Sequence, residues 1–92
     1  MRLSFEWDPN KARANAEKHA VSFSEAATVF GDMPSITYPD PDHSVDESRC
    51  ITIGMSQFGR LLIIAHADRG DRIRIINARE TTRSERKLYE EG

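Results

Sequence analysis

The sequence lacks the residue patterns on which most enzyme classes depend. It has a single cysteine, Cys50, which cannot form an internal disulfide and which lies in an apolar strand pattern, so we interpret it as a small core residue rather than a nucleophile. No Cys/His pair has zinc spacing, and neither a phosphate-cradling glycine loop nor a serine nucleophile elbow occurs. The acidic residues that could hold Mg²⁺ lie in one turn-rich loop without a convergent pattern: Asp40, Asp42, Asp46 and Glu47. We therefore expect no metal and no cofactor.

Long apolar segments are also missing. No run of roughly eighteen apolar residues could span a membrane, and the first residues have no apolar core of the kind found in signal peptides. With one cysteine as well, the cytoplasm is the expected compartment. The length of 92 residues predicts one domain, 1–92, with one modest core.

The charges are unevenly distributed along the chain. The net charge of −2 taken alone argues against a protein that binds nucleic acid. However, residues 1–48 carry four basic and nine acidic side chains, whereas residues 49–92 carry nine basic and six acidic ones. Because local charge determines phosphate affinity, the second half remains a candidate for nucleic-acid binding.

The first half of the chain predicts a strand followed by two helices. Residues 2–7 alternate between apolar and polar, as in a half-buried strand whose apolar side includes Trp7. Asp8 suits an N-cap and Pro9 the first helical position, and this helix should stop near residues 19–20. Ser22-x-x-Glu25 matches a capping box for a second helix over about 23–30, with Gly31 as its C′ residue.

The second half predicts four strands and a last helix. The strand patterns cover residues 36–38, 49–56, 60–67 and 72–78, with hairpin turns at 57–59 and 68–71 and an exposed acidic loop at 40–48. Thr82-x-x-Glu85 indicates a capping box for a helix over about 81–90 that has few apolar anchors. The expected fold is α+β, an antiparallel sheet with an N-terminal helical hairpin on one face, in the order β-α-α-β-β-β-β-α.

Residues 72–89 read as a strand that turns directly into a helix and concentrate cationic side chains. Arg72 and Arg74 share one side of the strand, and four further arginines and lysines follow: Arg79, Arg83, Arg86 and Lys87. Guanidinium groups gathered in this way suit a phosphate backbone, because each offers a planar fork of donors and a permanent charge. The alternative is a solvated helix face with ion pairs along it.

A set of Arg, Lys, His and Glu side chains can cleave RNA without a metal. RNA supplies its own nucleophile, the 2′-OH, so the protein needs only to align it, move protons and offset phosphate charge. His66, on a strand that is apolar on both faces, is more readily interpreted as a buried core histidine. His19, at a helix end, is explained equally well by complementing the helix dipole.

The two ends of the chain together resemble the BrnT toxins of bacterial type II toxin–antitoxin pairs. The N-terminal motif consists of Phe5-Glu6-Trp7-Asp8, Lys11, Asn15, Lys18-His19-x-Val21-x-Phe23, Glu25-Ala26 and Val29-Phe30. The middle and C-terminal motifs consist of Glu47-x-Arg49, Gly54, Gly59-Arg60, Ile73-Arg74-Ile75-Ile76-x-Ala78-Arg79, Arg83, Glu85-Arg86 and Tyr89. The chain departs from the family pattern at Asn77, where serine is more usual.

The resemblance implies a RelE-like fold of the RelE/ParE superfamily and a metal-independent endoribonuclease that blocks translation and growth. It also implies a BrnA-like antitoxin with a ribbon-helix-helix domain, a complex of two toxins with two antitoxins, and operator DNA bound through the antitoxin. Carried onto this chain, it implies that Arg49, Arg74 and Arg79 bind the scissile phosphate and that Lys18 and His19 take part in proton transfer or charge stabilisation. Glu85 is implied as a base or as an orienter of Arg79. The RNA backbone contacts are expected from Arg72, Arg83 and Arg86.

Two other functions remain open from the sequence. A non-catalytic toxin on the same scaffold could act by capturing a protein target such as a gyrase, which the negative net charge and the missing obvious base favour. A small structural subunit would use its basic helix only for ion pairs.

Overall fold

The fold is a five-stranded sheet with helices against both of its faces. The computed structural model describes residues 3–40, 42 and 48–92, so the first position of the strand pattern over 2–7, the Mg²⁺ candidates Asp46 and Glu47 and most of the acidic loop lie outside the described residues. The elements are β1 (Ser4–Glu6), α1 (Pro9–His19), α2 (Phe23–Thr28), a 3-10 turn (Val29–Gly31), β2 (Ile36–Pro39), β3 (Arg49–Met55), β4 (Leu61–Arg69), β5 (Arg72–Glu80) and α3 (Arg83–Glu91). The α+β class expected from the sequence is confirmed. No helix in the described part of the chain is long and apolar enough to cross a membrane.

The sheet is mixed rather than antiparallel. Its strand order is β1-β5-β4-β3-β2, and the pairs β2–β3, β3–β4 and β4–β5 are antiparallel as expected. The expectation was wrong for β1, which pairs parallel to β5, with Phe5 opposite Ile73. A two-residue turn forces antiparallel pairing, but β1 is separated from its partner by most of the chain, so no local turn sets its direction.

One face of the sheet packs against the helical hairpin. The core here contains Val21, Phe23, Ala26, Val29, Leu62, Ile64, Ile75 and Ala78. Trp7 packs edge-on against Phe23 with ring centroids 5.9 Å apart, which confirms its predicted place on the apolar side of β1. This face therefore supplies most of the fold's apolar burial.

The opposite face carries a smaller core beneath α3. Ile53, Leu61 and Ile63 are buried there, and Tyr89 of α3 packs against them. Tyr89 Oη also donates a hydrogen bond of 2.8 Å to Asp32 Oδ2. No residue of α3 itself is buried, as the scarcity of apolar anchors in its sequence predicted.

A β-bulge determines which side chains of β5 share a face. The pairing shifts between Ala65, which lies opposite Asn77, and His66, which lies opposite Ile75, so Ile76 is an extra residue. Arg74 and Arg79 are an odd number of residues apart and would otherwise point to opposite faces. With the bulge, both lie on the side of β4 that carries Ile63, Ala65 and Ala67, which we call the arginine face.

The helix ends follow the sequence closely, with two exceptions. Asp8 caps α1 as predicted, and Thr82 and Glu85 form the complete capping box of α3. The capping box predicted for α2 is only half present, because Ser22 accepts the Glu25 amide while the Glu25 carboxylate bonds elsewhere. α2 ends at Thr28, and Gly31 lies in the 3-10 turn rather than in a left-handed C′ position.

Candidate functional site

The side chain of Asn15 fixes α1 against the edge of β5. β1 covers that edge only as far as Arg74, and α1 lies along the remainder. Asn15 is buried, donates from Nδ2 to the carbonyls of Val21 (2.9 Å) and Ala78 (2.8 Å), and accepts the Ala78 amide (3.1 Å). The helix period then places Lys11, Lys18 and His19 on the same face of α1 as Asn15.

A cleft of about 470 Å³ lies between this helix face and β5. Its lining consists of Lys11, Ala14, Asn15, Lys18, His19, Ile76, Asn77 and Arg79. The cleft brings together three of the residues expected in the site, Lys18 and His19 from α1 and Arg79 from β5. A bound phosphate would meet positive charge from both elements there.

A second, smaller cleft of about 200 Å³ adjoins the first and shares Lys11 and Ile76 with it. Its lining consists of Asp8, Lys11, Arg49, Arg74, Ile75 and Ile76. Arg49 and Arg74 flank Ala67 in one row across three strands, and the small alanine side chain leaves room between them. The two clefts together therefore hold five of the six predicted catalytic residues, all except Glu85.

Lys11 is a residue of the site that the sequence reasoning did not assign. Among the residues that the structure describes, it is the one charged side chain that lines both clefts. The signal for it was present, because Lys11 lies two helical turns before Lys18 on an otherwise alanine-rich helix. Asn77, where serine is more usual in the family pattern, also lines the larger cleft.

Glu85 holds Arg79 in a two-pronged ion pair. Arg79 Nη1 lies 2.8 Å from Glu85 Oε1 and Nη2 lies 2.9 Å from Oε2, while Oε1 also accepts the Thr82 amide at 2.9 Å. The Arg79 hydrogen bonds keep the pKa of Glu85 below its ordinary value, so this carboxylate is a weak base near neutral pH. Of the two roles that the resemblance implied for Glu85, the geometry favours the orienter of Arg79.

Tyr38, near the Arg79–Glu85 pair, is another residue that the sequence reasoning missed. It lies in the row of Ile51, Ala65 and Asn77 on the arginine face. Burial raises the pKa of Tyr38, and the nearby Glu85 carboxylate adds to the shift. Because β2 shows only two apolar residues in the sequence, no pattern pointed to a role for this tyrosine.

His66 lies away from both clefts, in the core beneath the helical hairpin. Its Nε2 is 2.7 Å from Thr52 Oγ1, the Phe30 ring meets it edge-on at 4.9 Å, and Nδ1 has no hydrogen-bond partner among the described residues. Burial lowers the pKa of His66, so the ring is neutral at pH 7. Its interpretation as a buried core histidine is confirmed, although only one of its two ring nitrogens is satisfied.

The three residues expected to bind the RNA backbone are dispersed. Arg72 lies at the start of β5 on the arginine face, 3.6 Å from Glu6. Arg83 and Arg86 are exposed on α3, where Arg86 lies 3.8 Å from Glu90. None of the three lines either cleft. Instead, Arg72 lies at the beginning of β5, and Arg83 and Arg86 lie beyond its end.

Comparison with known proteins places this chain in one family. The family model described as "Ribonuclease toxin, BrnT, of type II toxin-antitoxin system" matches residues 7–85. The crystal structure of the Brucella abortus ribonuclease toxin BrnT superposes with a TM-score of 0.69 at 18% sequence identity, covering 89% of this chain and all of that one. At that identity the superposition supports the fold alone. No curated protein matches this sequence.

Proposed function

This chain belongs to the BrnT family of ribonuclease toxins of type II toxin–antitoxin systems, and from that premise we propose that it is a metal-independent endoribonuclease that uses the 2′-OH of its substrate. Cleavage of RNA would inhibit translation and growth until the antitoxin binds. The observation that carries this proposal is the larger cleft, in which Lys18 and His19 of α1 face Arg79 of β5.

The roles follow from the chemistry of the side chains. Attack by the 2′-OH builds negative charge on the phosphate, and Arg79, Arg74 and Arg49 offset it as permanent cations. His19 lines the larger cleft, and because an imidazole can both accept and donate a proton, we assign the proton transfer to it. Lys18 and Lys11 stabilise charge beside it. As the 2′-O–P bond forms, the P–O5′ bond breaks, and the 5′-oxygen leaves with the proton that His19 took from the 2′-OH or with one from water. One product therefore carries a 2′,3′-cyclic phosphate, which water can open.

Glu85 and the remaining arginines have supporting roles. Glu85 orients the Arg79 guanidinium until a phosphate takes over some of those hydrogen bonds. Arg72 contacts the backbone of the RNA at one end of β5, and Arg83 and Arg86 contact it beyond the other end.

The partner of a type II toxin is an antitoxin. We propose that it is BrnA-like, that its ribbon-helix-helix domain binds operator DNA, and that two toxins and two antitoxins form the complex. We propose further that residues 1–92 act as one toxin domain of RelE-like fold in the bacterial cytoplasm.

The proposal is tested by incubating the purified protein with a defined RNA in EDTA and mapping the ends. We expect cleavage with 2′,3′-cyclic phosphate ends, and a loss of at least a hundredfold in Arg79→Ala, on the scale reported for removing a group that stabilises developing charge. Arg13→Ala is the matched control, because Arg13 is an exposed arginine that the helix period turns away from the clefts. Normal cleavage by a folded Arg79→Ala protein would place the site elsewhere.

One observation favours the alternative, a non-catalytic toxin that captures a protein target such as a gyrase. Glu85 already occupies the fork of Arg79, so the ion pair as a whole presents no net charge to a substrate unless a phosphate displaces Glu85. An intact RNA after prolonged incubation, together with stable capture of the purified gyrase, would select this function.

A further inference from the structure

Three arginines gather around one carboxylate beside the smaller cleft. Arg69, Arg72 and Arg74 lie 3.7, 3.6 and 3.9 Å from the carboxylate oxygens of Glu6. The sheet register explains the cluster, because Arg69 pairs with Arg72 across β4 and β5, while Glu6 pairs with Arg74 across β1 and β5. We call these four residues the Glu6 cluster.

The charges in the Glu6 cluster are not balanced. Three guanidinium groups face one carboxylate, and each of the three distances is longer than a hydrogen bond. The arginine side chains are 50%, 60% and 37% exposed, against 28% for Glu6. Glu6 therefore holds the three arginines near one another while their guanidinium N–H donors make no hydrogen bond to it. The cluster as a whole retains two uncompensated positive charges.

The Glu6 cluster is continuous with the clefts along one strand. Arg74 belongs to the cluster and also lines the smaller cleft with Arg49 and Lys11. The bulge at Ile76 keeps Arg72, Arg74 and Arg79 on the arginine face, over a stretch of β5 that is roughly 20 Å long at the usual rise of a strand. A single strand of nucleic acid laid along β5 would meet cations over this whole distance.

We propose that Arg69 and Arg72, arranged with Arg74 by Glu6, form a subsite for the backbone phosphates of an RNA strand that continues beyond the cleft. The subsite selects for substrates that extend past the cut on one side. Glu6 limits its affinity, because its carboxylate competes with phosphate for the same three guanidinium groups. The inference rests on the proposed ribonuclease function for its ligand, and it adds Arg69 and Glu6 to the residues that contact or tune the substrate.

The test compares long and short ligands in binding and in cleavage. The binding probes are a 2′-O-methyl oligonucleotide, which lacks the nucleophile and cannot be cut, and the corresponding dinucleotide. Cleavage is measured as the ratio of kcat/KM for a long RNA to kcat/KM for the dinucleotide at the same cut. The variants are Arg69→Gln, Arg72→Gln and Glu6→Gln in the full chain, with thermal unfolding of each to establish that it folds.

Matched controls account for the general effect of net charge. Arg13→Gln removes the same positive charge, and Glu17→Gln the same negative charge, from exposed positions of α1 that the helix period turns away from the clefts. Salt titrations of every protein count the phosphates contacted, since each contact with a single strand contributes about 0.7 to the slope of log K against log salt.

We expect Arg69→Gln and Arg72→Gln each to lower the affinity for the long oligonucleotide roughly threefold more than Arg13→Gln does. The slope of log K against log salt should become shallower, and the ratio of kcat/KM for the long RNA to kcat/KM for the dinucleotide should fall. Glu6→Gln should strengthen binding of the long oligonucleotide beyond the effect of Glu17→Gln. Affinities that follow the controls, or equal losses of affinity for the long and the short ligand, would overturn the subsite. Binding that behaves as expected without any cleavage by the wild type would support the subsite and contradict the ribonuclease.

Discussion

Asn15 and Ala78 are joined by two hydrogen bonds that take the place of a missing strand. The Asn15 side-chain amide presents one donor and one acceptor to the backbone of Ala78, at 2.8 and 3.1 Å, as a neighbouring strand would. A helix can thereby close the edge of β5 beyond the end of β1. The same contact fixes the position of α1 along β5, and with it the distance from Lys18 and His19 to Arg79.

Asn15→Ala should destabilise the fold by about 2 to 4 kcal/mol, because it leaves the carbonyl and amide of Ala78 and the carbonyl of Val21 buried without these partners. Urea unfolding measures the loss. Asn10→Ala is the control, since Asn10 is exposed and its side chain accepts a hydrogen bond from Arg13. A change below about 0.5 kcal/mol in Asn15→Ala, the usual size for surface substitutions, would contradict the strand-like role.

The Arg79–Glu85 pair distinguishes an orienting carboxylate from a catalytic base. Glu85→Gln keeps the shape of the side chain and removes its charge and one acceptor. If Glu85 orients Arg79, the cleavage rate of the variant should fall roughly tenfold, and kcat should still decrease at low pH as it does in the wild type. If Glu85 were the base, cleavage should fall by a factor of about 100 to 10,000 and that decrease at low pH should disappear. Rates over a pH series decide between these outcomes, and Glu90→Gln, which affects only an exposed ion pair, is the control.

Capping residues in the sequence predicted where the helices begin. Where a predicted capping contact was wrong, a residue far along the chain had taken the place of the local partner. Asp8 and Thr82 cap their helices because a cap needs only residues two or three positions away. Glu25 has the same local pattern, yet its carboxylate bonds to Arg60, 35 residues later, and no local rule contains that competitor. The sequence therefore predicted the element but assigned the wrong partner to its acid.

The candidate site also combines features that the local sequence predicts with features that depend on distant partners. Arg74 and Arg79 were predicted from composition and family motifs, but their shared face depends on the bulge at Ile76. The adjacent Ile75 and Ile76 interrupt the alternation of β5, and this interruption was not interpreted as a bulge. Lys11 shares a face of α1 with Lys18, but its position between the two clefts depends on Asn15, which fixes α1 against β5. The residue types were thus readable from the sequence, whereas their grouping required the pairing of strands far apart in the chain.

The Glu25–Arg60 pair should make the fold sensitive to acid. Glu25 is buried, its Oε1 lies 2.5 Å from Arg60 Nη2, and its Oε2 accepts from Arg60 Nε at 3.0 Å and from Ser56 Oγ at 2.7 Å. The Arg60 hydrogen bonds hold the pKa of Glu25 below its ordinary 4.5. Below pH 4.5 the unfolded chain therefore binds a proton that the folded chain does not, and the free energy of unfolding falls as pH drops toward the folded pKa.

Glu25→Gln tests this by urea unfolding at pH 7 and in the interval below pH 4.5. The variant should be less stable at pH 7, because Arg60 loses the charge of its buried partner and retains only Glu80, an exposed carboxylate 3.4 Å away, and the Ala20 carbonyl at 2.9 Å among the contacts that the structure describes. Its stability should also fall less steeply in acid than that of the wild type. Glu17→Gln, at an exposed site, should retain the wild-type slope. Parallel curves for wild type and Glu25→Gln would assign the acid sensitivity to other carboxylates.

His66 should add a separate pH dependence above that of Glu25. Because burial lowers the pKa of His66 below its ordinary 6.5, the unfolded chain takes up a proton at a higher pH than the folded chain. The contribution is fully present above pH 6.5 and is lost as pH falls through that value toward the folded pKa. His66→Gln can keep a hydrogen bond to Thr52 and does not titrate, so its stability should change less between pH 7.5 and 5.5 than that of the wild type. Urea unfolding at both values, with the His66 ring protons followed by NMR, measures the difference. A His66 ring that titrates at or above 6.5 in the folded protein would show that the core admits its charged form.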